Sequence, residues 1–256
     1  MRKLLRCSSI KLNALYNEDC MLTMSKMPSN FVDIIITSPP YNKAGYEGFL
    51  RKTHPRDAWQ AKRNIDYSGD AKRDFMPEAE YEQWQIDVLN EFHRVLKPDG
   101  SIFYNHKVRV AQHKGSHPIE WILKSKNIFR QQIIWDRGSN TNVAPIRYIP
   151  STELLFWLTK QRIQPNFSRV KTTLFQHEVW RINPVIGSEH PAPFPEELPR
   201  NILTNIKNKS NVVVYDAFCG TGTTLKVAKE FGMNYIGSEI SKEYCKMAER
   251  RLSKCK

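Results

Sequence analysis

The stretch that most constrains the fold is residues 211–241, NVVVYDAFCGTGTTLKVAKEFGMNYIGSEIS. Its apolar start predicts a buried strand that ends at Asp216. Gly220 and Gly222 then allow a tight turn into a helix over about 222–231, and NYIGSEI predicts a second strand with Glu239 at its end. This order predicts a parallel βαβ unit whose glycine turn lets a ligand approach the backbone closely.

The acidic residues of this unit indicate a nucleotide-like ligand with a positive charge. Glu239 lies about 20 residues beyond the glycines, where a carboxylate can accept both ribose hydroxyls. The turn lacks the Gly-Lys-Ser/Thr of a P-loop and the third glycine of the dinucleotide fingerprint. Asp216 at the strand tip suits a cation better than a pyrophosphate, and S-adenosylmethionine carries an ammonium and a sulfonium. An ordinary glycine-rich turn is the alternative.

A second constraint is DIIITSPPYN, residues 33–42. The isoleucine run predicts a core strand over 31–37, and this strand stops at Ser38-Pro39-Pro40-Tyr41. Proline has no backbone N–H, so two prolines cannot continue a central ladder. The sequence therefore predicts a rigid turn that presents a serine and a tyrosine at the end of a strand, with a purely structural turn as the alternative.

Together the two motifs resemble those of the DNA amino-methyltransferases. The catalytic motif of that family is (Asp/Asn/Ser)-Pro-Pro-(Tyr/Phe), matched by residues 38–41, and its cofactor motif is Asp-x-Phe-x-Gly-x-Gly-Thr, matched by residues 216–223. The catalytic motif comes first in the chain, which resembles the circularly permuted β class. HPAPFPEEL, residues 190–198, resembles the segment of that family that covers the methionine moiety.

The resemblance implies an α/β fold of the class I methyltransferase type, with a Rossmann-like, mostly parallel sheet and a small target-recognition segment. It also implies S-adenosylmethionine as the cofactor and a target base flipped out of duplex DNA. The Pro39 carbonyl would accept one amine hydrogen. Ser38 would accept the other or address the ring nitrogen, and Tyr41 would stack on the base. Pro40 would keep the turn rigid.

Serine at the first motif position favours the N4 amine of cytosine. The N6 amine of adenine is the alternative, and a catalytically silent DNA-binding paralogue is a further one. C5-cytosine methylation needs a cysteine nucleophile, usually after a proline, and none of the five cysteines follows one.

The resemblance and the glycine turn together predict a cofactor site drawn from three parts of the chain. Its residues are Asp19, Cys20, His190, Pro191, Asp216, Phe218, Cys219, Gly220, Thr221, Gly222, Thr223 and Glu239. For Asp19, a helix N-cap is an equally good interpretation.

The formal net charge of +13 favours a polyanionic partner, and we expect double-stranded DNA. Residues 43–77 are rich in lysine and arginine without apolar periodicity, which predicts a basic loop facing DNA. The candidate DNA contacts are Arg51, Lys52, Lys62, Arg63, Lys107, Asn140 and Arg147.

Strands alternate with helices along the chain, which predicts one catalytic domain in three parts. These are a catalytic half (1–137), a target-recognition segment (138–188) and a cofactor-binding half (189–256). Further helices are predicted near 20–28, 78–95 and 116–126, and further strands at 101–105, 128–135 and 153–159, with a turn at 97–100.

The odd cysteine count without a CxxC pair predicts reduced thiols and no metal site, typical of a prokaryotic cytoplasm. No apolar run is long enough to span a membrane, and the first residues lack the apolar core of a signal peptide. A cognate restriction endonuclease as partner, and a monomer or a homodimer, remain open.

Overall fold

The computed structural model describes residues 10–42, 76–111, 114–138, 148–168, 177–185 and 195–255. The helices are α1 (Cys20–Ser25), α2 (Glu78–Val95), α3 (Ile119–Ile122), α4 (Glu197–Thr204), α5 (Thr223–Glu230) and α6 (Lys242–Ser253). The strands are β1 (Ala14–Tyr16), β2 (Val32–Thr37), β3 (Leu96–His106), β4 (Arg109–Ala111), β5 (Lys114–Ser116), β6 (Ile128–Asp136), β7 (Thr152–Thr159), β8 (Val179–Arg181), β9 (Val213–Asp216) and β10 (Asn234–Ser238).

Eight of these strands form one sheet in the order β1-β10-β9-β2-β3-β7-β6-β8. Within the described strands of this sheet, β7 alone runs antiparallel to its neighbours β3 and β6. The carboxyl ends of the parallel strands therefore share one edge with the amino end of β7. Strands β4 and β5 form a separate hairpin.

The sheet has a hydrophobic core on each face, which explains the isoleucine run of β2. Ile35 packs into one core with the side chains of α2, while Ile34 and Ile36 pack into the other core with those of α4 and α5. Successive side chains of a strand point to opposite faces, so a strand covered on both sides is apolar throughout. The expected mostly parallel α/β sheet is thus confirmed.

Several boundaries differ from the sequence-based expectation. The helix expected over 116–126 is wrong in length, because it is the four-residue α3 preceded by the hairpin β4–β5. The turn expected at 97–100 lies inside β3, where it interrupts the pairing with β2. Leu96 of β3 pairs with Val32 of β2, and the next paired residue of β3, Ser101, pairs with Ile34. In the predicted target-recognition segment, β7 and β8 belong to the central sheet.

Among the described helices, none has the length and apolar character needed to cross a membrane.

Candidate active site

The two motifs meet where β9 and β2 lie side by side in the sheet. Asp216 ends β9 and Thr37 ends β2, and the Thr37 hydroxyl donates to the Asp216 carboxylate at 2.8 Å. Chain connections leave this strand pair in opposite directions across the sheet, which makes it a topological switch point. Ligands of open α/β sheets bind at such points, beyond the carboxyl ends of the strands.

Asp216 is a buried carboxylate that is held by hydrogen bonds. Its side chain accepts hydrogen bonds from Thr37 and from the backbone N–H of Phe218 at 3.2 Å, and Thr224 is a third partner. Among the described residues, no lysine or arginine forms an ion pair with it. Burial raises the pKa of Asp216 from 3.8 to about 6. A bound cation would favour its ionised form.

The glycine turn is held by Glu239 at the end of β10. One oxygen of the Glu239 carboxylate accepts from the backbone N–H of Gly220 at 2.9 Å, and the other accepts from Ser241 N–H at 2.8 Å. Both carboxylate oxygens therefore lie at the glycine turn, where a carboxylate, with about four acceptor sites, can also accept from ligand hydroxyls. The pair Asp216 and Glu239 therefore fits a ligand with a positive group and adjacent hydroxyls, such as S-adenosylmethionine.

Gly222 serves the expected tight turn and also the packing of two helices. Its φ of +79° begins α5 in the left-handed region. A Cβ at this position would also lie 2.9 Å from the Cβ of Ala248 in α6. Close packing of two helices therefore demands this glycine. Gly220 also has a positive φ, of 50°, and lies at the bend itself.

The remaining described cofactor candidates surround this turn. Asp19 is the N-cap of α1 and accepts from Met21 N–H at 2.7 Å, so the N-cap interpretation is confirmed. Cys20 and Cys219 are buried. Phe218 lies edge-on to Trp84 of α2, with ring centroids 5.7 Å apart.

Thr223 points away from the turn toward α6, because its hydroxyl accepts from Arg251 at 2.9 Å. Thr221 is half-buried beside it.

Ser38 and Tyr41 of the Pro-Pro turn join a network of hydroxyls and acceptors. The Ser38 Oγ lies 3.0 Å from the Tyr41 hydroxyl and 3.1 Å from Asn105 Oδ1. The Tyr41 hydroxyl is 2.8 Å from Asn105 Oδ1 and 3.2 Å from Glu153 Oε2. Pro39 is buried and Pro40 half-buried. Asn105 lies near the end of β3 and Glu153 near the start of β7, so neighbouring strands build the network.

Side chains of α2 also hold the Pro-Pro turn in place. The Tyr81 hydroxyl donates to the Pro40 carbonyl at 2.7 Å and accepts from Gln85 Nε2 at 2.7 Å. His106 lies within 2.7 Å of the same hydroxyl, and burial lowers the pKa of His106 to about 3, so this imidazole is neutral. The Tyr41 ring stacks at a tilt on His106, with centroids 4.5 Å apart.

Asn42, just before the basic segment, forms hydrogen bonds with Met76, near the end of that segment. Its side-chain amide donates to the Met76 carbonyl and accepts from Met76 N–H, both at 2.9 Å. Asn42 is buried with a φ of 49°. The segment between Asn42 and Met76 therefore starts and ends next to the Pro-Pro turn.

Of the predicted DNA contacts, Lys107 lies at the site, with Nζ 5.6 Å from the Tyr41 ring centroid. The others, and two cofactor candidates, lie outside the described residues. These are Arg51, Lys52, Lys62, Arg63, Asn140, Arg147, His190 and Pro191.

Asn105, Tyr81 and Glu153 were not predicted as site residues from the sequence. Asn105 carried a usable signal, because it ends a predicted strand at the ligand-binding edge. Glu153 carried none, because hydrophobic periodicity does not give the direction of β7. Among the described residues, no cluster of potential metal ligands is present.

Comparison with known proteins places this geometry in a family. A family model described as DNA methylase, for N6 and N4 methylation, matches residues 32–250. The type II methyltransferase M.BglII of Bacillus subtilis is 29% identical over 276 aligned positions, covering 94% of this chain and 69% of M.BglII. The DNA adenine methyltransferase YhdJ of Escherichia coli (strain K12) is 25% identical, covering 91% of this chain and 80% of YhdJ.

Among solved structures, the PvuII DNA methyltransferase, described as cytosine-N4-specific, superposes with a TM-score of 0.73. It is 19% identical and the match covers 95% of this chain and 87% of that one, so it shows a shared fold. The family model spans most of the sequence. This chain therefore belongs to the DNA methylases that act on exocyclic N6 or N4 amines, a family dependent on S-adenosylmethionine.

Proposed function

We propose that this chain transfers a methyl group from S-adenosylmethionine to the N4 amine of a flipped cytosine in a specific double-stranded DNA sequence. It would act as part of a restriction-modification system or as an orphan methylase. The choice of cytosine rests on one observation, which is the neutral side chain at the first motif position, next to the proposed place of the amine. That position holds the neutral Ser38, and Glu153 reaches it only through the Tyr41 hydroxyl.

A neutral hydroxyl suits cytosine for an electrostatic reason. The ring edge of cytosine presents the O2 and N3 acceptors close to the amine, and a carboxylate at the first motif position would place a charge near them. The fold shared with a cytosine-N4-specific enzyme is consistent with this choice. Adenine N6 is the second candidate, because YhdJ is an adenine methyltransferase.

Each part of the site has a proposed task. Asp216 takes the positive methionine end of the cofactor and Glu239 its ribose hydroxyls. The bound cofactor supplies an electrophilic methyl group. Ser38 and the Pro39 carbonyl accept the two amine hydrogens and so aim the nitrogen lone pair at the methyl carbon, a pre-organisation that favours the transition state.

The proposed task of Tyr41 is to stack on the flipped base. Its hydroxyl is held by Asn105 and Glu153, and its ring packs on His106. These contacts hold the ring in a fixed position beside the base. The basic segment 43–77 supplies phosphate contacts and residues 138–188 read the target sequence.

Methylation-sensitive sequencing of DNA from cells that express the protein tests the proposal. We expect N4-methylcytosine at one recurring sequence, absent from cells that express Ser38→Ala. N6-methyladenine would establish the second candidate. Unmodified DNA would indicate the catalytically silent paralogue.

A further inference from the structure

A chain of hydrogen-bonding groups leads from the proposed acceptor of the target amine to a carboxylate. The Ser38 Oγ is 3.0 Å from the Tyr41 hydroxyl, which is 3.2 Å from Glu153 Oε2. The other oxygen of Glu153 accepts from Arg137 at 2.7 Å. Arg137 thus leaves Oε2 turned toward Tyr41. Both steps along the chain lie within the reach of a proton transfer, about 2.6–3.2 Å.

We propose that Glu153 is the terminal proton acceptor of the methyl transfer, reached from the target amine through Ser38 and Tyr41. This inference rests on the proposed function. It supplies the base that the Pro-Pro turn itself lacks, because neither a hydroxyl nor a backbone carbonyl holds an additional proton at neutral pH.

Atoms and charges are conserved along the whole path. The amine nitrogen forms its bond to the methyl carbon while the carbon–sulfur bond breaks, and the bonding pair stays on sulfur. The nitrogen gains the positive charge that the sulfonium loses. An amine proton passes to Ser38, the Ser38 proton to Tyr41, and the Tyr41 proton to Glu153. The methylated amine is then neutral, both hydroxyls are restored, and Glu153 is a carboxylic acid.

Asn105 constrains the donor direction of the hydrogen bonds between Ser38 and Tyr41. Its Nδ2 donates to the Leu154 carbonyl at 3.0 Å, which fixes Oδ1 as an acceptor facing both hydroxyls. If the phenol donated to Ser38 instead, Asn105 Oδ1 and Glu153 Oε2 would both face the phenol oxygen without a hydrogen between them. The Ser38 hydroxyl therefore donates to Tyr41 or to Asn105 Oδ1, and its lone pairs face the target amine.

The electrostatics support proton passage without a phenolate. Burial and then the charge of Glu153 raise the pKa of Tyr41 well above 10, so the phenol gives up its proton only as it gains another. The other charged or titratable groups near these residues, within the described part of the sequence, are Arg137, His106, Lys107 and Tyr81. His106 is neutral, and Glu153 is 12% exposed, which allows it to return its proton to solvent.

Single-turnover methyl transfer at saturating cofactor tests the inference. We expect Glu153→Gln and Tyr41→Phe each to lower the transfer rate about a hundredfold, the lower end of general-base effects. The double variant should be no slower than the slower single variant, because both changes interrupt one path. The matched control is Glu249→Gln, which replaces an exposed glutamate of α6 and should leave the rate unchanged.

A solvent isotope effect separates a proton acceptor from a merely structural glutamate. Single-turnover transfer by the wild type and by Glu249→Gln should be slower in heavy water than in light water, whereas Glu153→Gln should lack this dependence. Cofactor affinity should stay within about twofold in every variant.

The relay is overturned if Glu153→Gln transfers methyl within about twofold of the wild-type rate, or if the two single effects multiply in the double variant. A wild-type protein that transfers no methyl would instead overturn the proposed function, and the relay with it.

Discussion

Replacing Asp216 by asparagine should separate folding stability from cofactor binding. Asp216 is 5% exposed, and burial raises its pKa from 3.8 to about 6. At 1.36 kcal/mol per pH unit, this rise corresponds to about 3 kcal/mol. As the pH rises, the unfolded chain loses the Asp216 proton near pH 3.8, whereas the folded chain keeps it up to about pH 6. The contribution of this proton to the free energy of unfolding is therefore complete below about pH 3.8. It is lost as the pH rises through about 6.

At pH 8 and without added cofactor, Asp216→Asn should therefore raise the free energy of unfolding by up to about 3 kcal/mol, whereas at pH 4 the two proteins should agree. Urea unfolding at both pH values measures the difference. The same variant should bind S-adenosylmethionine more weakly by about 1.5–3 kcal/mol in calorimetric titration. A variant less stable than the wild type at pH 8, or one with unchanged cofactor affinity, would refute the reasoning.

The other predictions concern the glycine turn, the second carboxylate and the basic segment. Gly222→Ala should lower the free energy of unfolding by about 2–4 kcal/mol, because its φ is left-handed and the new methyl group would clash with Ala248. Gly232→Ala, where φ is +67° and the added methyl group would meet no neighbouring atom, should lower it by only about 1–2 kcal/mol. Equal losses in thermal unfolding would exclude the clash. Glu239→Ala should weaken cofactor binding by at least about 1.5 kcal/mol, and an unchanged calorimetric affinity would contradict its assignment. Removing four basic charges should flatten the salt dependence of DNA binding by about 0.9 for each phosphate that is no longer neutralised, and identical slopes would show that these residues do not touch DNA. The four residues are Arg51, Lys52, Lys62 and Arg63.

The βαβ unit and the Pro-Pro turn were predictable because their signals are local. A buried strand, a glycine turn and an acid at the next strand end follow one another within residues 211–241, and proline constrains its own backbone. The parallel sheet followed from the alternation of strands and helices. Resemblance to a family supplied the cofactor.

The network behind the turn was not predictable, because it depends on contacts between distant parts of the chain. Glu153 reaches Tyr41 only because β7 runs antiparallel, which places its first residues at the ligand-binding edge. Gly222 was correctly identified, but its packing against Ala248 needs the position of α6. The length of α3 was overestimated, because Ser116 belongs to β5 and residues 123–126 form turns and bends after the helix.

The central claim is that the Pro-Pro turn orients an exocyclic amine for methyl transfer. Its most direct test is single-turnover transfer of labelled methyl to duplex DNA carrying the target site, in the wild type and in Ser38→Ala, followed by nucleoside analysis. We expect labelled N4-methylcytosine, with the Ser38→Ala rate lower by about a hundred- to a thousandfold and cofactor affinity unchanged. Labelled 5-methylcytosine, or a Ser38→Ala variant that transfers methyl at the wild-type rate, would contradict the account.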